Sequence, residues 1–309
     1  MGELLMDIGP REVIYSRDPG FPTLLSEIEE PPEKLFVLGD AGALRPGLAI
    51  VGARKATPYG LSCAEHFAGI AARSGIPVIS GGAIGCDQAA HRGALGAGGI
   101  TVAVLGSGAN VAYPKRGKSL FEQIVSNGGA LISELDWGFP PQRWAFVRRN
   151  RIIAGLSRAV LIVEAGLPSG TFSTADFALS AGRDVLVVPG SIFSSESKGS
   201  NTLIAQGATP IIDDESFAAA LDRNFAQSDA SSDSPTISLA AQSLDGLQLR
   251  MLDMLTASPL TVDQVIASTG ADTLVAMRKI SSLETKGMVV RYPDGRFGID
   301  PKCVVASAR

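Results

Sequence analysis

The chain has 309 residues, 45% of them apolar but only 6% aromatic, with 35 glycines and a formal net charge of −4. That length accommodates one large domain and one small one, and the acidic balance excludes a protein coated in positive charge, so a polyanion site must be a local patch such as Arg143 to Arg158 or Lys115 to Lys118. No run approaches a membrane span, the start MGELLMDIGPREV lacks a signal-peptide core, and Cys63, Cys86 and Cys303 lack metal-ligand spacing, so a reducing, cytoplasmic protein without membrane, metal or cofactor is expected.

Residues 1–44 are rich in Pro and Glu, with short patterned pieces such as FPTLLSEI and KLFVLGD, and read as a lead-in packed on a sheet domain. From 45 to 225, strand-like runs alternate with helical ones. LAIVGA, PVISGG, TVAVLG, GALISEL, AVLIVEA, DVLVVPG and TPIID are the strands, and Ala, Leu and Ile recur at three- and four-residue steps between them. Continuous Val/Ile/Leu runs separated by helices mean parallel strands covered on both faces, which predicts a doubly wound, Rossmann-like, mostly parallel α/β domain. The stretch AQSDASSDSPTIS opens a solvated linker over 226–243. In 244–309, GLQLRMLDMLTA, TVDQVIASTG (capped by Thr261 and ended at Gly270) and ADTLVAMRKISSLETKG are helices, followed by two strands around a Pro-Asp-Gly turn. That order describes a small winged-helix domain.

The strand ends are glycine-rich: GARKATPYG, SGGAIG, GSGAN, PSGT and PGS. Ligands of open α/β sheets bind beyond the carboxyl ends of the strands, and glycine there lets backbone N–H groups approach phosphates. Gly52, Ser80, Gly81, Gly82, Gly85, Ser169, Gly170 and Thr171 are therefore candidate contacts, with Arg54 projecting over the same edge. The run FVRRNRIIAGLS sets Phe146, Arg148, Arg149, Asn150 and Arg151 at the start of an apolar stripe made by Ile152, Ile153 and Leu156. Buried arginines are costly unless paired, and cations at a helix start oppose its dipole, so an anionic partner is expected; phosphates pair with Arg while bases stack on rings. Lys115, Lys198 and Asn201 complete the candidate set. GSGAN lacks the third glycine of a dinucleotide fingerprint and there is no GxxxxGK[ST] loop, which argues against NAD binding and ordinary ATP hydrolysis.

Catalytic constellations are thin. His91, four residues after Asp87, reads as an ordering residue, and Asp87, Glu134 and Glu164 suit either acid–base work or the orientation of arginines. The segment SNTLIAQGATPII supplies an apolar helix and an edge strand at Thr209 to Ile212, which a two-fold partner or the helix Glu215 to Arg223 must cover; a homodimer through the α/β domain is expected.

GAR, SGGAIGCDQAAHRGAL, AVLGSGANVAYP, LISEL, FVRRNRIIAGLS, VEAGLPSGTFSTADFA and PGS with KGSNTLIAQGA, in order from Phe21 to Asp213, resemble the DNA-processing protein A family, DprA or Smf. The resemblance implies single-stranded DNA binding in natural transformation, dimerisation, loading of the RecA recombinase, and no catalysis. Cys86 stands where the family usually has an aliphatic residue, and Val147-Arg148 where a proline is common. The N-terminal helical module of some members is not expected. The enzyme alternative is the nucleotide-processing branch of the same fold, the phosphoribohydrolases, which carry a glutamate after a PGGxGT loop; here Thr174 holds that place. A transcription regulator reading DNA through its winged helix is the third alternative, disfavoured by Asp272 near the start of the third helix and by Arg278 and Lys279 lying towards its far half.

Overall fold

A computed structural model describes residues 2–5, 8–225, 246–257, 259–286, 288–292 and 295–299. They form two compact units, one within residues 2–225 and the other within 246–299. In chain order the first unit begins with β1 (Glu3–Leu4), β2 (Arg11–Tyr15), α1 (Thr23–Ser26) and β3 (Lys34–Gly39). It continues through β4 (Gly47–Val51), α2 (Pro58–Arg73), β5 (Val78–Ser80), α3 (Cys86–Gly96), β6 (Thr101–Val104), β7 (Val111–Ala112), α4 (Lys118–Ser126) and β8 (Ala130–Ser133). Next come α5 (Arg143–Gly155), β9 (Ser157–Ile162), α6 (Thr171–Ser180), β10 (Asp184–Val187), α7 (Lys198–Ala205), β11 (Thr209–Pro210) and α8 (Asp214–Phe225).

Nine of these strands form one sheet in the order β11-β10-β9-β4-β5-β6-β8-β3-β2. From β11 to β8 every pairing is parallel, while β3 runs antiparallel to both β8 and β2. Every expected strand of the α/β region is present. The reading of the first residues needs correction, because they do not merely pack on the sheet: β2 and β3 extend it, and Leu35 and Val37 enter its core. Their signal is KLFVLG, a continuous apolar run of the same kind as the other central strands.

The strands from β10 to β3 bury both faces, whereas the edge strands β11 and β2 are largely exposed. In β4, Ala49 and Val51 pack towards α5 and α6, whereas Leu48 and Ile50 pack towards α2, α3 and α8. A side-chain period of two with both faces covered produces the unbroken apolar runs seen in the sequence. The chain winds from β4 to β5 and β6 in one direction, then returns to place β9 on the other side of β4. The loops after β4 and β9 therefore diverge at a topological switch point, where open α/β sheets leave a crevice.

The second unit comprises α9 (Gly246–Ala257), α10 (Val262–Thr269), α11 (Thr273–Thr285) and the antiparallel pair β12 (Val289–Arg291) and β13 (Phe297–Ile299), the elements of a winged helix. Thr261 caps α10 in a reciprocal arrangement with Gln264, and Gly270 ends it in the left-handed conformation at φ 66°. Its own core is built from Leu252, Leu255, Val265, Ile280, Leu283 and Val289. The 226–243 linker, the Pro293-Asp294 turn and Cys303 lie outside the described residues.

Candidate nucleic-acid interface

The loops at the switch point enclose a crevice of about 430 Å3. Gly52, Ala53, Arg54 and Lys55 follow β4 on one wall; Gly166, Pro168, Ser169 and Gly170 follow β9 on the other. Thr171 and Thr174 bring the start of α6 into the floor, where the N-cap residue Gly170 supplies no side chain and the Ser169 hydroxyl accepts from the Thr171 N–H at 3.2 Å. A helix start that opens into a crevice is a favourable seat for an anion. The crevice continues past Phe146 into a second hollow of about 300 Å3, lined by Gly81, Ala83, Ile84, Tyr113 and Pro114.

At the junction of the two hollows, the Arg54 guanidinium carbon lies 5.6 Å from the Phe146 ring centre, and the Tyr113 and Phe146 ring centres lie 5.4 Å apart. Arg54 and Lys55 are exposed and Phe146 is half-buried. The cluster presents a cation and flat rings together, one suited to a phosphate and the others to a base.

The remaining candidates separate by position. The helix begins ahead of the FVRRNR run: α5 starts at Arg143, so Arg148, Arg149 and Arg151 lie in its middle, and Arg149 follows Ala145 by one turn on the buried stripe that continues to Ile152 and Ile153. Arg149 is 5% exposed at the crevice wall. Its Nη1 donates to the Gly81 carbonyl at 2.7 Å and to the carbonyl of Val104, tying the loop after β5 to the end of β6. Burial pushes this guanidinium down to about 10, against the pull of Asp87, so it is charged at neutral pH. Burial raises the Asp87 carboxyl, which Arg149 and the Ala83 N–H oppose. A Cβ at Gly81 would come within 2.6 Å of both groups, which is why glycine stands between them.

Arg151 is a correction. It lies off the crevice, 5% exposed, with two-pronged bonds of 2.7 and 2.8 Å to Glu134 and a 2.9 Å bond to the Glu30 carbonyl. Arg148 is more open but shares Glu134 at 3.5 Å, and both arginines line a separate hollow with Glu29, Glu30 and Phe177. Of the two roles open to these carboxylates, Glu134 takes the orientation of arginines, whereas Glu164 accepts from the Thr57 N–H and hydroxyl, both at 2.8 Å, and occupies the start of α2 with the chain's own carboxylate.

Asn150 lines the crevice and donates to the Ser173 hydroxyl at 2.9 Å. Ser80 is buried, donating to the Ile50 carbonyl at 2.6 Å, and Gly82 is buried beneath the loop. Gly85, at φ 95°, packs its backbone against the Ala53 carbonyl and shapes the wall from behind. Lys115 is exposed in the turn after Pro114, and Lys198 is exposed at the start of α7; neither lines the crevice. Asn201 clamps Gly190, accepting from its N–H at 3.1 Å and donating to its carbonyl at 3.0 Å. His91 bonds the Thr101 hydroxyl at 2.7 Å, linking α3 to β6, and burial drives its pKa down to about 3.

Lys55, Ile84, Tyr113, Pro168 and Glu196 are lining residues missed by the sequence reading. Lys55 had a signal, standing beside Arg54 in GARK, and Tyr113 stands in an aromatic–Pro–Lys run; Glu196 lies nearly thirty residues beyond Pro168 and carried none. Among the described residues, no group of three or more His, Cys, Asp or Glu side chains is placed to hold a metal ion, and no helix is long and apolar enough to cross a membrane.

A doubly wound sheet with a cationic, aromatic-lined crevice at its switch point, in a chain that also carries a winged helix, defines a Rossmann-like class suited to an anionic ligand with flat faces. The chain belongs to the DNA recombination-mediator protein A family, whose profile matches residues 12–222, and the DprA winged helix domain matches residues 235–295. It is 33% identical to Protein Smf of Synechocystis over 91% of this chain and 78% of that protein. It is 42% identical to Protein Smf of Escherichia coli over 63% of this chain, spanning about half (52%) of that protein. The solved structure of DNA processing protein A from Helicobacter pylori, described for its single-stranded DNA binding mode, superposes with a TM-score of 0.63 at 29% identity, covering 70% of this chain and 97% of that one.

Proposed function

We propose that this chain binds single-stranded DNA in the switch-point crevice, protects it without catalysis, and delivers it to the RecA recombinase during recombination or uptake of DNA in the cytoplasm. The observation that carries this reading is the Arg54–Phe146–Tyr113 cluster at the mouth of the crevice, beside Lys55 and the start of α6. Phosphate pairing there requires only charge and backbone, and ring stacking accepts any base, so little sequence preference is expected. A duplex keeps its bases inside and offers the rings nothing. The single-stranded DNA bound by the Helicobacter pylori relative and the family's role as recombination mediators support the assignment.

The hydrolase alternative lacks support in the floor, where Thr174 occupies the place of the glutamate. Asp87 is engaged with Arg149 and the Ala83 N–H. On this reading purified protein does not release a free base from nucleoside monophosphates.

The test is an anisotropy titration with labelled single- and double-stranded oligonucleotides at several salt concentrations. Tighter single-strand binding is expected, with log K falling by about 0.7 per contacted phosphate for each unit of log salt. Equal affinity for both forms at every salt concentration contradicts the proposal.

A homodimer through the β11 edge is part of the same proposal. α8 turns Phe217, Ala220 and Leu221 onto the sheet face with α2, leaving Ile212 71% exposed beside the edge. Pro210 lacks an N–H for strand addition, so the contact is apolar packing of two copies. Light scattering of a 1–228 fragment is expected to give a dimer, and a monomer contradicts the edge assignment.

A further inference from the structure

The crevice has an apolar rim on the β5–β6 side, and the loops after β9 and β10, which reach its opposite wall through Gly166, Pro168 and Glu196, carry exposed apolar side chains. On the β5–β6 side stand Phe146, Tyr113 and Ile84, next to Arg54. On the loops after β9 and β10 stand Leu167, Ile192 and Phe193, which are 55%, 78% and 92% exposed. These three lie on two loops in contact with each other, since the Ser195 carbonyl and Glu196 border Gly166, and Glu196 forms part of the crevice wall.

The exposed tip is braced. Asn201 clamps Gly190 from both sides at the root of the loop. Within the loop, the Phe193 N–H donates to the Ser191 hydroxyl at 3.2 Å, the Ser194 N–H to the Ser191 carbonyl at 3.0 Å, and the Glu196 N–H to the Ser194 hydroxyl at 3.2 Å. A large ring held outward on such a turn does nothing for the folded core, because it gains no burial.

Resting on the reading of the crevice as a single-strand site, we propose that Phe193, flanked by Ile192 and Leu167, is a second base-stacking platform, so that a strand with phosphates on the Arg54–Lys55–α6 floor spreads its bases onto the rim and onto this platform. Three side chains on two loop tips are far fewer than the 20–30 residues a side of a stable protein interface. They do match a nucleobase, whose faces are apolar and flat and whose backbone would already be held in the adjoining floor. Stacking groups on the rim and on the opposite loops also favour a single strand, because a paired duplex cannot turn bases outward to either side.

The test uses the full chain and fluorescein-labelled oligo-dT of graded length, with an abasic strand of the longest length as control. Phe193→Ala is expected to weaken long oligo-dT on the order of five- to a hundredfold. It should leave the shortest bound oligonucleotide, the abasic strand and the salt dependence unchanged, and Phe193→Trp should restore affinity. Unchanged binding of long oligo-dT by Phe193→Ala overturns the proposal, as does an equal loss on the abasic strand. Loss of affinity together with a fall in oligomeric mass by light scattering also overturns it, marking the tip as a contact between copies. If the wild-type chain binds no strand, the crevice reading falls and this proposal with it; if binding is lost in Arg54→Ala but kept in Phe193→Ala, this proposal alone fails.

Discussion

Glu134→Ala is expected to lower the thermal midpoint of the α/β unit by about 10 °C. The carboxylate follows β8 and holds Arg151 of α5 through two bonds, at 2.7 and 2.8 Å, while Arg151 reaches the Glu30 carbonyl at 2.9 Å. One ion pair thereby joins the sheet, a covering helix and the segment between α1 and β3. The Arg151 side chain is 5% exposed and that of Glu134 12%, so deletion of the carboxylate leaves a guanidinium out of water with no counter-charge. Breaking a buried pair in this way costs about 3–5 kcal/mol. In a domain of this size each kcal/mol shifts the midpoint by about 2–4 °C. The double variant Glu134→Leu, Arg151→Met should recover most of the loss, since replacing both charges removes their desolvation cost as well. Differential scanning fluorimetry of the three proteins checks this; an unchanged midpoint in Glu134→Ala would show that the pair does not stabilise the fold.

Arg54→Ala is expected to weaken single-stranded DNA binding about ten- to a hundredfold with no change in the thermal midpoint. Arg54 is exposed on the loop after β4 and makes its ring contact with Phe146, so its removal opens no cavity and leaves no buried charge. A charge-assisted hydrogen bond to phosphate contributes about 1.5–3 kcal/mol, which sets the range. The slope of log K against log salt should also flatten by about 0.7, the share of one phosphate on a single strand. Arg54→Lys should recover only part of the affinity, because an ammonium keeps the charge but not the planar fork or the stacking on Phe146. Titration at a minimum of three salt concentrations is the check, and a wild-type slope in Arg54→Ala would place the phosphates elsewhere.

The two variants also show where the sequence was legible. The strands were, because burial on both faces makes each an apolar run, and so were the glycine loops and Arg54 at the strand ends. The roles of the arginines in α5 were not. Arg148, Arg149 and Arg151 look alike in FVRRNR, yet a helix turns successive residues by about 100°, sending Arg149 towards the crevice and Arg151 towards Glu134. Their separation depends on where the helix begins, and α5 starts at Arg143 behind Gln142, which supplies no side-chain cap to mark the place. Ser80 and Glu164 were misleading for a related reason. Both lie at strand ends, where Ser80 suits a ligand contact and Glu164 the orientation of an arginine or acid–base work, but each meets a backbone partner from a distant segment that no local pattern reveals.

Amide hydrogen exchange of the full chain with and without oligo-dT tests the crevice assignment most directly. Protection is predicted in residues 52–55, 81–85 and 166–171, the loops that line the crevice and the adjoining hollow, with little change in the winged-helix unit. Protection confined to residues 246–299, with those loops unchanged, would contradict the account.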